Sequence, residues 1–149
     1  MGAGEDINRK EFARAFLLRA KADLKSAKDL LEADDFPDAA LHAQQCAEKA
    51  IKALLVIENR FVSRHIVSDI FSEVVEELRL EELENVLDYC RELERHWIRP
   101  RYPFPEMGDI WNPLEEYDEE DANEAIEKAE FVFERLKALL KERYGLVTE

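Results

Sequence analysis

Apolar residues recur at steps of three and four along most of this chain, and this period constrains the fold more than any other feature. In the first segment, from about Asn8 to Glu32, the stripe comprises Phe12, Phe16, Ala20, Leu24, Ala27 and Leu31. A period near 3.6 residues predicts amphipathic helices that each bury one face. Only four glycines and five prolines occur among the 149 residues, and strong helix formers dominate. The sequence therefore predicts an all-α protein.

Four further helices are predicted from the same period. Their expected ranges are Asp35 to Glu58, Val67 to Leu78, Glu81 to Ile98, and Asp118 to Tyr144. Asp35 is a candidate N-cap, and Gly145 can act as the C′ residue of the last helix. Few residues join the first two helices, so these should be antiparallel neighbours. We predict an up-and-down antiparallel bundle of about five helices, forming a single domain over residues 1–149 with its core at about 8–143.

The stretch from Pro100 to Tyr117 departs from this pattern, because it holds four of the five prolines. We expect it to be irregular, without a β-strand, and anchored against the bundle by Phe104 and Trp111. A long loop that carries aromatic residues inside a compact domain is often functional.

Charge and composition exclude several classes of protein. The formal net charge of −14 argues against nucleic-acid binding over the whole surface, so any RNA contact needs a local basic patch or a partner. No apolar run approaches the roughly 18 residues of a membrane span. The first residues lack a signal-peptide pattern, and Asp6 stands where N-myristoylation requires Ser or Thr. The expected localisation is cytoplasmic, with no membrane association.

No cofactor or metal site is expected from the sequence. No two histidines lie at i and i+4, and there is no glycine-rich phosphate loop. Cys46 and Cys90 lack metal-type spacing and fall within apolar helical patterns, which predicts two buried reduced thiols. We expect His42 to be a packing histidine and His65 to have a capping or surface role.

The densest unusual segment runs from Arg91 to Pro103. It carries Arg91, Arg95, Arg99, Arg101 and His96 against only Glu92 and Glu94, so its local charge is positive in an acidic chain. Arginine binds phosphate in a bidentate manner, which makes this segment a candidate phosphate or nucleotide site. The alternative is that Arg91, Arg95 and Arg99 form the solvated outer face of the fourth helix.

Three segments of the chain are similar to one known family. LHAQQCAEKAIKALL (residues 41–55) resembles the second-helix signature of HEPN domains. LERHWIRPRYPFPEMGDIW (93–111), followed by EEYDEEDANEAIEKAEFVFERL (115–136), resembles the end of that family's fourth helix, its Arg-Tyr-Pro turn and its last helix. SRHIVSDIFSEV (63–74) looks like the connecting segment that contains a histidine. The resemblance covers about Phe12 to Leu140, and the Arg-Tyr-Pro turn is its most specific part.

This resemblance implies a function and a set of site residues. HEPN domains are helical bundles that usually form two-fold dimers, and many act with a minimal nucleotidyltransferase as a toxin–antitoxin pair. Active members are metal-independent ribonucleases with an arginine, a gap of four to six residues, and a histidine. Arg91 and His96 match that spacing. His96 would be the general acid/base, and Arg91 would stabilise charge on the phosphate.

Two alternatives follow from the same resemblance. One is a non-catalytic module that binds a nucleotide or the nucleotidyltransferase through Arg95, Arg99, Arg101 and Tyr102, with Tyr102 stacking on a base. The other is a plain dimeric scaffold. For the catalytic hypothesis, residues five apart differ by about 140° on an ideal helix. Arg91 and His96 can therefore meet only if the helix distorts or if a second copy supplies one of them.

Overall fold

The computed structural model describes residues 8–148, and its elements confirm the predicted all-α bundle. The helices are α1 (Arg9–Glu32), α2 (Phe36–Ile57), α3 (Ser68–Glu77), α4 (Glu84–Glu94), α5 (Pro113–Glu116) and α6 (Glu119–Tyr144). Turns of 3-10 helix, Glu81–Leu83 and Arg95–Trp97, flank α4. The predictions about a signal peptide and myristoylation fall on residues outside the described range. Within that range, no helix combines the length and apolarity that crossing a membrane requires.

Local sequence signals set the helix ends. The Asp35 side chain accepts a hydrogen bond from the Asp38 amide at 3.4 Å, as its predicted N-cap role requires. Asp118 and Asp121 form a reciprocal capping box at the start of α6. Gly145 ends α6 with φ of 68°, the left-handed conformation that glycine adopts without steric cost.

Helix α2 lies at the centre of the core and packs against α1 and α6, while α4 packs against α6. Its small buried residues, Ala39, Ala40, Ala43, Ala47 and Ala50, allow the neighbouring helices to approach closely. The buried stripe of α1 is Ala13, Leu17, Ala20, Leu24 and Ala27. Phe12 and Phe16, predicted to face inward, are half-buried and pack against the core, where they form an aromatic cluster with Phe61. The fully buried positions at this end of α1 are Ala13 and Leu17, one residue further along the helix.

A buried polar network lies among these apolar residues. Glu48 and Lys52, one turn apart on α2, form an ion pair at 3.0 Å with side chains only 5% and 6% exposed. The Glu48 carboxylate also accepts from Gln44 Nε2 at 3.2 Å and contacts His65 Nδ1 at 3.0 Å. Because a buried charge is costly without partners, each of these contacts offsets part of the desolvation of Glu48.

Helix α3 is capped from outside its own sequence. It has no side-chain N-cap of its own. Glu94, the last residue of α4, accepts hydrogen bonds through Oε2 from the amides of Val67 at 2.9 Å and Ser68 at 3.0 Å. A carboxylate at this position complements the positive end of the α3 dipole. Glu94 therefore fixes α3 and the loop before it to the end of α4.

The proline-rich stretch contains a β-hairpin, so the prediction that it holds no strand was wrong. Strands β1 (Phe104–Glu106) and β2 (Asp109–Trp111) pair antiparallel, with Phe104 opposite Trp111. Met107 and Gly108 form the turn, both with positive φ, the combination that favours a tight hairpin. Phe104 and Trp111 stack with ring centroids 6.0 Å apart and are half-buried. Trp111 packs against the core and contacts Tyr117, so it anchors the hairpin to the bundle as predicted, and Phe104 stacks on Trp111.

Both cysteines are buried and free, which confirms their prediction as reduced thiols. Burial raises the pKa of the Cys46 and Cys90 thiols well above the usual range. The protonated thiol is a poor nucleophile, so neither side chain is suited to covalent catalysis.

Candidate active site

His96 lies in the 3-10 turn that follows α4, where Pro100 prevents the helix from continuing. Its side chain points inward, and only 4% of the residue is exposed. The ring packs on Tyr117, the residue before the N-cap of α6, with ring centroids 5.5 Å apart. His96 Nδ1 lies 2.6 Å from the Tyr117 hydroxyl oxygen. The end of α4 and the start of α6 together therefore position this imidazole.

The surroundings of His96 keep it uncharged at neutral pH. Burial, reinforced by the positive charges of Arg95 and Lys128, lowers its pKa to about 4. Burial also raises the pKa of Tyr117 to about 12, so the phenol keeps its proton. The Arg95 Nε lies 3.5 Å from His96 Nε2. Since arginine can only donate, this contact favours the tautomer in which Nδ1–H donates to Tyr117 and Nε2 carries the lone pair.

This imidazole lines an open cleft of about 430 Å³. The other lining residues are Arg95, Arg99, Trp111, Glu116, Tyr117 and Asp121. The volume is within the range of small-ligand sites, of the order of 300–1,000 Å³. Arg95 is exposed and forms no ion pair with any residue between 8 and 148. The cleft thus combines a guanidinium that can bind an anion with a neutral base.

Arg99 holds the hairpin in place at one wall of the cleft. Its guanidinium lies 4.1 Å from the Trp111 ring centroid and pairs with Glu106 at 3.0 Å. Its carbonyl accepts a hydrogen bond from Trp111 Nε1 at 2.8 Å. Because Glu106 already partners this guanidinium, Arg99 mainly shapes the cleft and adds positive potential to it.

Arg91 does not meet His96 within one chain. It is exposed and lines a different cleft, also of about 430 Å³, between α3 and α4, with Ser72, Glu76, Arg79 and Asp88 among its neighbours. The change to 3-10 geometry at Arg95 does not bring the two side chains into one cavity. Arg91 has no ion-pair partner in the described part of the chain.

The four residues predicted to bind a nucleotide separate into two pairs. Arg95 and Arg99 line the His96 cleft, whereas Arg101 and Tyr102 do not. The Arg101 guanidinium lies over the Trp97 ring, 3.8 Å from its centroid, and Tyr102 is 60% exposed.

Sequence reasoning missed four residues of the cleft as site residues: Trp111, Glu116, Tyr117 and Asp121. Tyr117 follows an irregular segment, so no periodic pattern singles it out. Its position before the Asp118 cap was the only local signal.

The other two histidines lie outside this cleft. His65, predicted to have a surface or capping role, is half-exposed but contacts the buried Glu48. His42 is half-buried on α2, with its Nδ1 3.7 Å from Asp23 Oδ1.

The lowered pKa of His96 predicts a pH-dependent stability. The unfolded ring takes up a proton near pH 6.5, and the folded ring only near pH 4. Between these values the unfolded state binds more protons, so the free energy of unfolding falls as the pH falls. From this group alone the loss is on the order of 3 kcal/mol. Urea unfolding of the wild type and of His96→Gln at several pH values measures this loss of unfolding free energy. If the stability of His96→Gln depends on pH in the same way as that of the wild type, the prediction is wrong.

Comparison with known proteins identifies the family of the chain. The family model of the HEPN domain matches residues 13–139. The chain is 45% identical to the Putative toxin MJ1304 of Methanocaldococcus jannaschii, over 91% of this chain and 93% of that protein.

Solved structures share the fold. TT1696 from Thermus thermophilus superposes with a TM-score of 0.72 and 25% identity, covering 89% of this chain and 98% of that chain. ST0689, an archaeal HEPN homologue, superposes with a TM-score of 0.69 and 26% identity, covering 87% and 98%. From the family match and the 45% identity over nearly the whole length, the chain belongs to the HEPN family.

Proposed function

We propose that this chain is the toxin of a toxin–antitoxin pair and that it cleaves RNA without a metal ion in the His96 cleft. The observation that carries the proposal is the buried, uncharged imidazole in an open cleft, with its Nε2 next to Arg95, an arginine that forms no ion pair among residues 8–148. The relative named Putative toxin MJ1304 supports the biological role. Such a toxin would act in the cytoplasm, where its RNA substrates are found.

The reaction we envisage is an internal transesterification. His96 Nε2 accepts the proton of a ribose 2′-hydroxyl, and the 2′-oxygen attacks the adjacent phosphorus. The bond from phosphorus to the 5′-oxygen breaks, and the imidazolium returns its proton to that leaving oxygen. The products are a 2′,3′-cyclic phosphate and a 5′-hydroxyl. Since the pKa of His96 is about 4, its imidazolium is a strong acid for the second transfer. Arg95 would stabilise the charge on the phosphate.

A second copy of the chain would complete this site. Arg91 is exposed, lacks an ion-pair partner among residues 8–148, and lies away from the His96 of its own chain. In the proposed two-fold dimer, Arg91 of each copy would enter the His96 cleft of the other, because contacts across such an interface occur twice. The proposed homodimer would therefore pair Arg91 and His96 across two chains.

The alternative function is a non-catalytic module that binds a partner protein. Five large apolar side chains in and around the hairpin are exposed: Ile98, Tyr102, Met107, Ile110 and Leu114. A group of this kind is typical of an interaction surface. The partner proposed from the family resemblance is a minimal nucleotidyltransferase that acts as the antitoxin. Under the leading proposal this surface would bind the same partner.

Incubation of the purified wild type with mixed single-stranded RNA in the presence of EDTA tests the proposal. We expect shortened RNA with 2′,3′-cyclic phosphate ends, which mass spectrometry identifies. Intact RNA at high protein concentration, with the protein folded and dimeric by sedimentation, would overturn the catalytic proposal and favour the binding module.

A further inference from the structure

A stack of aromatic and cationic side chains includes Trp97, which follows His96 in the 3-10 turn. The Arg101 guanidinium covers the Trp97 ring at 3.8 Å from the centroid, and Trp97 in turn stacks on the His65 ring with centroids 3.9 Å apart. His65 Nδ1 is held 3.0 Å from Glu48. We call Arg101, Trp97 and His65 the stacked ladder. Its inner end is fixed by a buried carboxylate, and its outer end is an exposed guanidinium.

Charge around the stacked ladder is unlike that of the chain as a whole. Arg101 forms no ion pair within residues 8–148, and neither does Arg64, the neighbour of His65, whose Nε donates to the Ile66 carbonyl at 3.3 Å. The carboxylate that the ladder contacts, Glu48, is buried and already paired with Lys52. Two exposed guanidinium groups therefore flank the ladder in a protein of net charge −14.

The stack of Arg101 on Trp97 leaves the guanidinium able to bind both an anion and a base. A guanidinium on an indole face is oriented in advance and keeps its in-plane N–H donors for an anion. Its outer face is a flat surface on which an unpaired base can stack, and Tyr102, the next residue in the chain, offers a second exposed ring. Cationic groups interleaved with aromatic rings are typical of proteins that bind single-stranded nucleic acid.

We infer that the stacked ladder, with Arg64 and Tyr102, binds the single-stranded RNA segment next to the scissile phosphate. Trp97 follows His96 directly in the chain, so one short turn carries both a cleft residue and a ladder residue. We infer from this adjacency that one strand has its reacting phosphate at His96 and a neighbouring nucleotide on Arg101. This inference rests on the proposed function and adds to it a binding surface outside the cleft, where unpaired bases of the substrate strand stack.

Fluorescence anisotropy with a labelled 2′-O-methyl oligouridylate tests the inference separately from cleavage, since this probe lacks the attacking hydroxyl. We expect Arg101→Ala to weaken binding roughly tenfold. We expect it to lower the slope of log affinity against log salt by about 0.7, the contribution of one phosphate contact on a single strand. Arg101→Lys, which keeps the charge but lacks the planar group, should recover only part of the affinity.

The matched control is Arg135→Ala, because Arg135 also covers an aromatic ring, that of Phe131, at 4.5 Å but lies on α6 away from the ladder. It should bind the probe like the wild type. Equal affinity of wild type and Arg101→Ala would overturn the inference, even if the wild type cleaves RNA. Arg101-dependent binding without cleavage by the wild type would support the inference while refuting catalysis at His96.

Discussion

Replacing His96 with glutamine should lower the rate of RNA cleavage by a factor of about 10²–10⁴, the usual contribution of a positioned acid–base group. Glutamine can still hydrogen-bond to the Tyr117 hydroxyl, so the cleft should keep its shape, but its side chain cannot exchange a proton with RNA. The loss should therefore appear in the rate at saturating RNA, with binding of the 2′-O-methyl probe unchanged. Single-turnover kinetics in EDTA separate these two quantities.

The control for this variant is His42→Gln. His42 is half-buried on α2 and contacts Asp23, outside the cleft. The His42→Gln variant should cleave RNA at the wild-type rate. Circular dichroism and sedimentation must show that both variants are folded and have the wild-type oligomeric state. Cleavage by His96→Gln at the wild-type rate would remove His96 from the mechanism.

The largest effect on stability is expected for Lys52→Met. The change leaves the Glu48 carboxylate buried and without its cationic partner on α2, and breaking a buried ion pair in this way costs about 3–5 kcal/mol. The hydrogen bonds from Gln44 and His65 would remain. Urea unfolding at neutral pH gives the difference in free energy between variant and wild type.

Two comparisons make this measurement specific. The double variant Glu48→Leu/Lys52→Met removes both charges and should recover most of the loss, because an apolar pair of similar volume can replace a buried ion pair. Lys25→Met breaks an exposed pair with the same spacing, Lys25–Asp29 at 2.7 Å, and should leave the stability unchanged. Equal effects of Lys52→Met and Lys25→Met would show that burial of the pair contributes nothing.

The sequence predicts the long helices well because their signals are local. The period of α1, the cap Asp35 and the terminal Gly145 each depend on residues within a turn or two of one another. The hairpin could not be predicted in this way. Its strands are three residues long, one contains Pro105, and they are held to the bundle by Arg99. That contact depends on tertiary structure.

Several residues of the site could be predicted from the sequence, but their arrangement in space could not. The basic segment did point to His96, Arg95 and Arg99, which share one cleft. Helical spacing placed Arg91, Arg95 and Arg99 on one outer face of the fourth helix. The helix instead changes to a 3-10 turn at Arg95, and the Arg99 guanidinium lies over the Trp111 ring. Tyr117 lies 21 residues after His96, and nothing in the spacing indicates that their side chains are in contact.

The external cap of α3 has a consequence for the order in which the chain folds. During synthesis, α1 and α2 emerge first and can pair at once, since only three residues join them. The amides of Val67 and Ser68 leave the ribosome 27 and 26 residues before Glu94, the group that accepts their hydrogen bonds. The first turn of α3 therefore lacks its cap until α4 is complete. The loop that carries His65 gains its attachment to Glu94 only at that stage, so the proposed RNA-binding face is completed after α1 and α2 have paired.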